Sequence, residues 1–199
     1  MRALFAVAVV FACLAGGPLR AQDAAPPAPP LGQYHFSAAL NAMIMQHVTF
    51  ESDDGGIQVL VAGYRHVGRD WYAGLELGAG GSMMIFGDSS DFTSIEANAK
   101  KVYAAGRVVR FDVGGGLSLG HVSYEDNHWF SDDDIKIDEW VVGMQALTNL
   151  NLKLGSVLLG ANLKYMLTTD VPGIEVDPDL ADGWDYSNLT IGLHLGFLR

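Results

Sequence analysis

The chain has 199 residues, 49% of them apolar, with a single cysteine and a formal charge of −11 at pH 7. Such acidity argues against nucleic acid as a partner, because phosphate backbones bind basic surfaces. One cysteine permits no internal disulfide framework, so stability has to come from packing and hydrogen bonding.

Met1-Arg2 supplies a positive start, "ALFAVAVVFACLAG" a short apolar run, and "PLRA" a small residue before a cut after Ala21. That is the layout of a secretory signal peptide over residues 1–21, too short and wrongly flanked for a spanning helix. Cys13 lies within it, and a lipid anchor there fits poorly because Phe11 is bulky for the box that precedes an anchored cysteine. Residues 22–32, "QDAAPPAPPLG", read as an extended, solvated lead-in. From residue 33 onward no run approaches the ~18–20 apolar residues of a membrane helix. Residues 33–199 are the folded domain.

Within that domain eight segments alternate with period two. The first, residues 33–46, sets Tyr34, Phe36, Ala38, Leu40, Ala42 and Ile44 against His35, Ser37, Ala39 and Asn41. The second, 57–67, is ambiguous, since Leu60 and Tyr64 compete with Ile57, Val59 and Val61 for the apolar face. In the third, Trp71, Ala73, Leu75, Leu77 and Ala79 oppose Tyr72, Gly74, Glu76, Gly78, Gly80 and Ser82. The fourth, 99–110, sets Val102, Ala104, Gly106 and Val108 against Lys101, Tyr103, Ala105 and Arg107. The fifth places Val113, Leu117 and Leu119 opposite Gly114, Gly116, Ser118 and Gly120. The sixth, "WVVGMQALTNLNLKL", keeps even positions apolar from Trp140 to Leu154 except at Thr148, and puts Gln145, Asn149, Asn151 and Lys153 on the other face. The seventh, 157–168, and the eighth, 188–198, alternate likewise. Helical spacing explains none of them as well.

The connections alternate too. "GRD" (68–70), "RFD" (110–112) and "GS" (155–156) are tight hairpin turns, whereas about 47–56, 85–98, 124–138 and 169–186 are long. Nineteen of the twenty-three acidic residues fall in or beside the long connections. One end of the molecule is therefore expected to be strongly acidic.

A soluble barrel would turn its polar faces to water and its apolar faces inward. Here the apolar face carries almost no charge, and the other carries Gly, Ser, Asn, Gln, Glu and Lys, as a narrow, crowded lumen requires. In a bilayer a sheet can span only if it closes, because every backbone group must pair internally. An even number of strands with short turns at one end and long loops at the other is the expected pattern. Trp71, Trp140, Tyr34 and Phe197 fall near strand ends on the outward parity, where interfacial rings belong. The fold class is all-β, an eight-stranded antiparallel up-and-down transmembrane β-barrel.

The chain resembles the small eight-stranded outer-membrane proteins of Gram-negative bacteria, the OmpX type and the OmpA barrel. In that family the last strand carries an assembly signal, and "TIGLHLGF" matches it with Thr190, Gly192, Leu195 and Phe197, although two residues follow the aromatic. The resemblance implies a bacterial outer-membrane location, short turns and chain ends in the periplasm, and acidic loops outside. It also implies outer-membrane lipid, lipopolysaccharide and the barrel assembly machinery as partners, with a structural or surface-interaction role and no enzymatic activity. The acidic loops would offer a surface to an extracellular ligand.

Three patterns invite chemistry. Glu76 and Lys164, equally far from their short turns, join Lys101 and Arg107 in an expected lumen cluster. Its plain reading is a polar plug, since eight strands leave a lumen just wide enough for side chains; its alternative is a narrow ion or proton path. His121 and Ser123 share the outward parity, with Asp138 atop the next strand. This resembles the outer-membrane lipid A deacylase, which would imply Ser–His–acid acyl transfer, against the plain reading of interfacial polar residues. "SDDDIKIDE" and "EVDPDLADGWD" gather carboxylates without the order of a calcium loop, and His35, His66 and His194 fall at the short-turn end. No metal or cofactor is expected.

Overall fold

The computed structural model describes residues 33–45, 54–83, 89–126, 135–169 and 187–199. The leader, the lead-in, residues 131–134 of the first carboxylate-rich stretch and the whole of the second (175–185) lie outside those residues. Eight strands follow one another: β1 (Tyr34–Met45), β2 (Asp54–Gly68), β3 (Trp71–Met83), β4 (Ser89–Ala105), β5 (Val109–Asp126), β6 (Ile135–Leu154), β7 (Val157–Thr168) and β8 (Asn188–Leu198). Each pairs antiparallel with the next, and β8 returns to β1, so the sheet is a closed barrel. Closure removes both sheet edges, which a lipid environment could not satisfy. The seam is completed at the short-turn end, where Tyr34 and Arg199 exchange both backbone hydrogen bonds at 2.8 and 2.9 Å.

The short turns reverse where the backbone can enter the left-handed region. Gly155 does so between β6 and β7 (φ 66°), and Arg69 does so in the β2–β3 turn (φ 48°). Between β4 and β5 the turn lies at Gly106–Val108, with Gly106 at φ 78°. This corrects the expected turn at 110–112. Arg110 and Asp112 belong to β5 and point inward, and β4 begins at Ser89, about ten residues before the expected start. Parity in the fourth strand is consequently reversed: Val102 is buried in the lumen and Tyr103 faces out. In the second strand the ambiguity resolves, with Leu60, Ala62 and Tyr64 inside and Ile57, Val59 and Val61 outside.

Elsewhere the two faces follow the alternation. Leu40, Leu75, Leu117, Met144, Leu163 and Leu193 are exposed on the outer wall, whereas Asn41, Gln145, Asn151 and Lys164 are buried inside. The one polar residue on the apolar face of β6 between Trp140 and Leu154 is accounted for, since the Thr148 hydroxyl donates to the Asp112 carbonyl at 3.1 Å. The lumen has no room for a side chain at several inward positions. At Gly116, for instance, a Cβ would overlap the Ala97 carbonyl and the Asn98 side chain.

β6 and β5 run for 20 and 18 residues, while β1 and β8 have 12 and 11. Because ~9–11 residues suffice to span, the longer hairpin overhangs the bilayer. Registers across β4, β5 and β6 show where the apolar wall stops. Ile95, Leu119 and Val142 form one outward row, Thr93, His121 and Trp140 the next, and Asp91, Ser123 and Asp138 the third. The wall thus changes from aliphatic to polar within two rows, with Trp140 at the boundary, as an interfacial indole prefers.

Candidate functional site

The interior is layered. Toward the long connections lie Met43, Phe92, Val122, Val141 and Met166, all buried. Toward the short turns, Ala39, Leu60, Ala62, Tyr64, Tyr72 and Val102 form an apolar cluster against which Leu198 packs. Between and among these layers are six charged side chains, each less than a tenth exposed: Glu76, Glu96 and Asp112 against Lys100, Arg110 and Lys164. Formally their charges cancel.

Lys164 on β7 holds the upper group. Its Nζ lies 2.9 and 2.8 Å from the two carboxylate oxygens of Glu96 and 3.5 Å from Glu76 Oε2. Glu96 also accepts from Ser94 Oγ at 2.9 Å and from Gln145 Nε2 at 2.7 Å. Glu76 accepts from the Tyr64 hydroxyl. Lys100 on β4 holds the lower group: Nζ is 3.0 Å from Asp112 Oδ2, 3.1 Å from His35 Nδ1 and 4.1 Å above the Tyr64 ring. Arg110 donates to the Gly106 and Val109 carbonyls, both at 2.9 Å, and so ties the turn to the strand that leaves it. Buried ions need this density of partners, because desolvation otherwise outweighs their attraction.

Of the expected lumen cluster, the structure brings Glu76 and Lys164 together. Lys101 and Arg107 do not belong to it: Lys101 faces outward and Arg107 is exposed in the β4–β5 turn. Their places are taken by Lys100 and Arg110, as the reversed parity and the shifted turn require. Glu96, read from the sequence as part of an acidic connection, is fully buried and is the main partner of Lys164. The signal was present in the even positions Phe92, Ser94, Glu96, Asn98, Lys100 and Val102, which continue one face through the segment. Of the three histidines expected together, His35 and His194 line one small cavity, while His66 packs on Tyr72 with ring centroids 5.2 Å apart. Among the described residues no group of three His, Cys, Asp or Glu side chains is placed to hold a metal ion.

The cavity, about 20 Å³, lies between the two charged groups and is bordered by both lysines, His35, Glu76, Asn162 and His194. A volume of that size holds about one water. Two of its polar atoms, His35 Nε2 and Asn162 Oδ1, have no hydrogen-bond partner among the described residues.

No protein-family model matches the chain, and no curated protein does. Solved structures do. Neisserial surface protein A shares 13% identity over 84% of this chain and 98% of its own, with a TM-score of 0.65. Ail, the attachment invasion locus protein of Yersinia pestis, shares 12% over 83% and 99%, at 0.50. A major outer membrane protein of Thermus thermophilus shares 11% over 82% and 98%, also at 0.50. The fold is that of the small eight-stranded outer-membrane barrels.

An outer-membrane barrel meets lipid with its outer wall, and the aliphatic belt described above is the surface this chain presents to it. The bacterial outer membrane is its location. On that wall His121, Ser123 and Asp138 do come together. His121 Nε2 lies 2.5 Å from Asp138 Oδ1, and the imidazole meets the Trp140 ring edge-on at 4.9 Å between centroids. Ser123 sits directly across the β5–β6 ladder from Asp138. Among the described residues no hydrogen bond joins Ser123 to His121.

The residues of the expected assembly signal all lie on β8, which closes the barrel against β1. Thr190 and Gly192 face the lumen, Leu195 and Phe197 the lipid. Gly192 has a local reason to be glycine, since a Cβ there would overlap the Leu40 carbonyl and the Asn41 side chain across the seam.

Proposed function

We propose that this outer-membrane barrel is closed to ions and without enzymatic activity, and that it acts through the acidic end formed by its long connections. The observation that carries the reading is the lumen, in which three acids and three bases neutralise one another beneath a layer of Met43, Phe92, Val122, Val141 and Met166. A conducting path would need open, hydrated volume along the axis, and the cavity found there has room for about one water. With Glu96 assigned to the lumen, eighteen of the twenty-three acidic residues remain in or beside the long connections. In this reading those connections face outside and offer carboxylates to an extracellular ligand, or to lipopolysaccharide phosphates through divalent cations. The short turns face the periplasm. Thr190, Gly192, Leu195 and Phe197 serve recognition by the barrel assembly machinery.

Planar-bilayer recording of the refolded chain tests the closed lumen: the expected trace shows no large steady conductance step, and such a step overturns the reading. Protease shaving of whole cells tests the orientation. Cleavage in the long connections is expected, and cleavage confined to the short turns reverses the topology.

A lipid-modifying hydrolase is the second reading, favoured by the His121–Asp138 pair beside Ser123 at the boundary of the apolar wall. A lipid A mass shift on expression, lost in Ser123→Ala, would establish it in place of the first.

A further inference from the structure

The short-turn rim has the opposite charge to the long-connection end. Arg65, Arg69, Lys101, Arg107, Lys153 and Arg199 lie there, and Asp70 is the acid among the described residues of that rim. Four of these cations fall on one contiguous stretch of the outer wall. Trp71 and Lys101 pair directly across β3 and β4, and Arg65 pairs with Ala73, one outward position from Trp71. Arg69 and Arg107 occupy the two turns that flank this stretch. Arg65 and Lys101 are thus two strand spacings apart across the sheet and offset by two residues along it, roughly 12 Å between backbones.

The stretch is held in place. His66 Nε2 lies 2.5 Å from the Arg69 carbonyl oxygen, and the Val102 amide donates to the Asp70 carbonyl at 2.9 Å, fixing the β2–β3 turn against β4. Lys101 Nζ lies 5.0 Å from the centroid of the Tyr103 ring, and Trp71 and Tyr103 are both about two-fifths exposed. Cations beside half-exposed amphipathic rings, at the edge of an aliphatic belt, sit at the depth of lipid headgroups. There an anionic surface attracts each Lys or Arg, and the attraction falls off within a Debye length.

We propose that Arg65, Arg69, Lys101 and Arg107, together with Trp71 and Tyr103, form a surface that binds the headgroups of anionic glycerophospholipids. The inference rests on the reading that the short turns face the periplasm, where the barrel would then gather anionic lipid around one side of its rim. Asp70 opposes the binding and is outnumbered four to one on this stretch. The described outer wall at the opposite rim carries Asp91 and Asp138 instead.

The test uses the full mature chain with Trp129, Trp140 and Trp184 replaced by Phe, refolded into phosphatidylcholine vesicles. Either brominated phosphatidylglycerol or brominated phosphatidylcholine is then added at equal mole fraction, and quenching of Trp71 is measured. Trp71 should be quenched at least about twice as strongly by the brominated anionic lipid, with the excess disappearing in 1 M salt. It should also disappear when Arg65, Arg69, Lys101 and Arg107 are all changed to Gln. A chain keeping Trp140 alone should show no excess. Equal quenching of Trp71 by the two lipids overturns the proposal, as does an excess that survives in salt or one that Trp140 shares. These outcomes do not depend on orientation in the cell, which protease shaving tests separately.

Discussion

Replacing Lys164 with Met should be among the most damaging single changes in the lumen. Lys164 is almost fully buried and neutralises Glu96 at 2.8 Å while reaching Glu76 at 3.5 Å. Met preserves most of the side-chain length and removes the charge, leaving two carboxylates that face each other without their cation. Removing one partner of a buried ion pair costs about 3–5 kcal/mol, because the remaining charge stays desolvated. That corresponds to about two to four powers of ten in the ratio of folded to unfolded barrel. Glu96→Gln alone should cost less, about 1–3 kcal/mol, since Lys164 keeps Glu76 and the amide oxygen can still accept from the ammonium.

The double variant is the informative one. If pairing is the cause, Lys164→Met with Glu96→Gln should be more stable than Lys164→Met alone, because one of the two stranded charges is gone. Glu76 then keeps the Tyr64 hydroxyl as its donor. Urea titration of the vesicle-inserted chain, read by tryptophan fluorescence and by heat-modifiable gel migration, supplies the three midpoints. The reasoning fails if Lys164→Met unfolds within ~1 kcal/mol of the parent, or if the two single losses simply add.

Other expectations follow from the same contacts. Tyr64→Phe removes the hydroxyl that donates to Glu76 and should lower stability by about 1.5–3 kcal/mol in the same titration. Gly192→Val places a branched side chain against Leu40 and Asn41 at the β1–β8 seam and should sharply reduce the heat-modifiable fraction on refolding; a normal folded yield would show that the seam tolerates volume. Leu193→Arg puts a cation at the middle of the lipid-facing wall and should cost about 2–4 kcal/mol, whereas Phe197→Arg near the rim should cost about 0–1 kcal/mol from its charge. Equal costs at the two positions would mean that the belt is not centred on Leu193.

How far the sequence announces this structure depends on how different the two faces of each strand are. In β6 the contrast is large, Leu, Met, Val and Trp against Gln, Asn and Lys, so period two reveals both the strand and which face meets lipid. The same holds in β3 and β8. In β2 the lumen face carries Leu60, Ala62 and Tyr64, which are as apolar as the wall, because the short-turn half of the lumen has an apolar cluster of its own. Period two survives there, but polarity no longer labels inside from outside. Only the pairing does so, with Ala62 opposite Glu76 on β3.

β4 shows why the charged site was half hidden. Its outer face includes Asp91, Thr93, Ala97 and Ala99, too weakly apolar to stand out, so the segment before residue 99 reads as a loop. Once the start is lost, the adjacent lysines at 100 and 101 cannot be told apart by composition, and the choice falls on the turn. Gly106, rather than Arg110–Asp112, reverses the chain because glycine enters the left-handed region without steric cost. Moving the turn to Gly106 puts Arg110 and Asp112 on the inward parity of β5. Counting back from Asp112 through the β4–β5 register then sets Val102 opposite Asp112, and Lys100 two residues along on the same lumen face. From Lys100 the even positions lead to Glu96, which is thereby removed from the acidic surface and given to Lys164. A single misplaced turn thus exchanges two of the three cations of the cluster and conceals its most buried acid, while the barrel itself, which depends on the other strands, is read correctly.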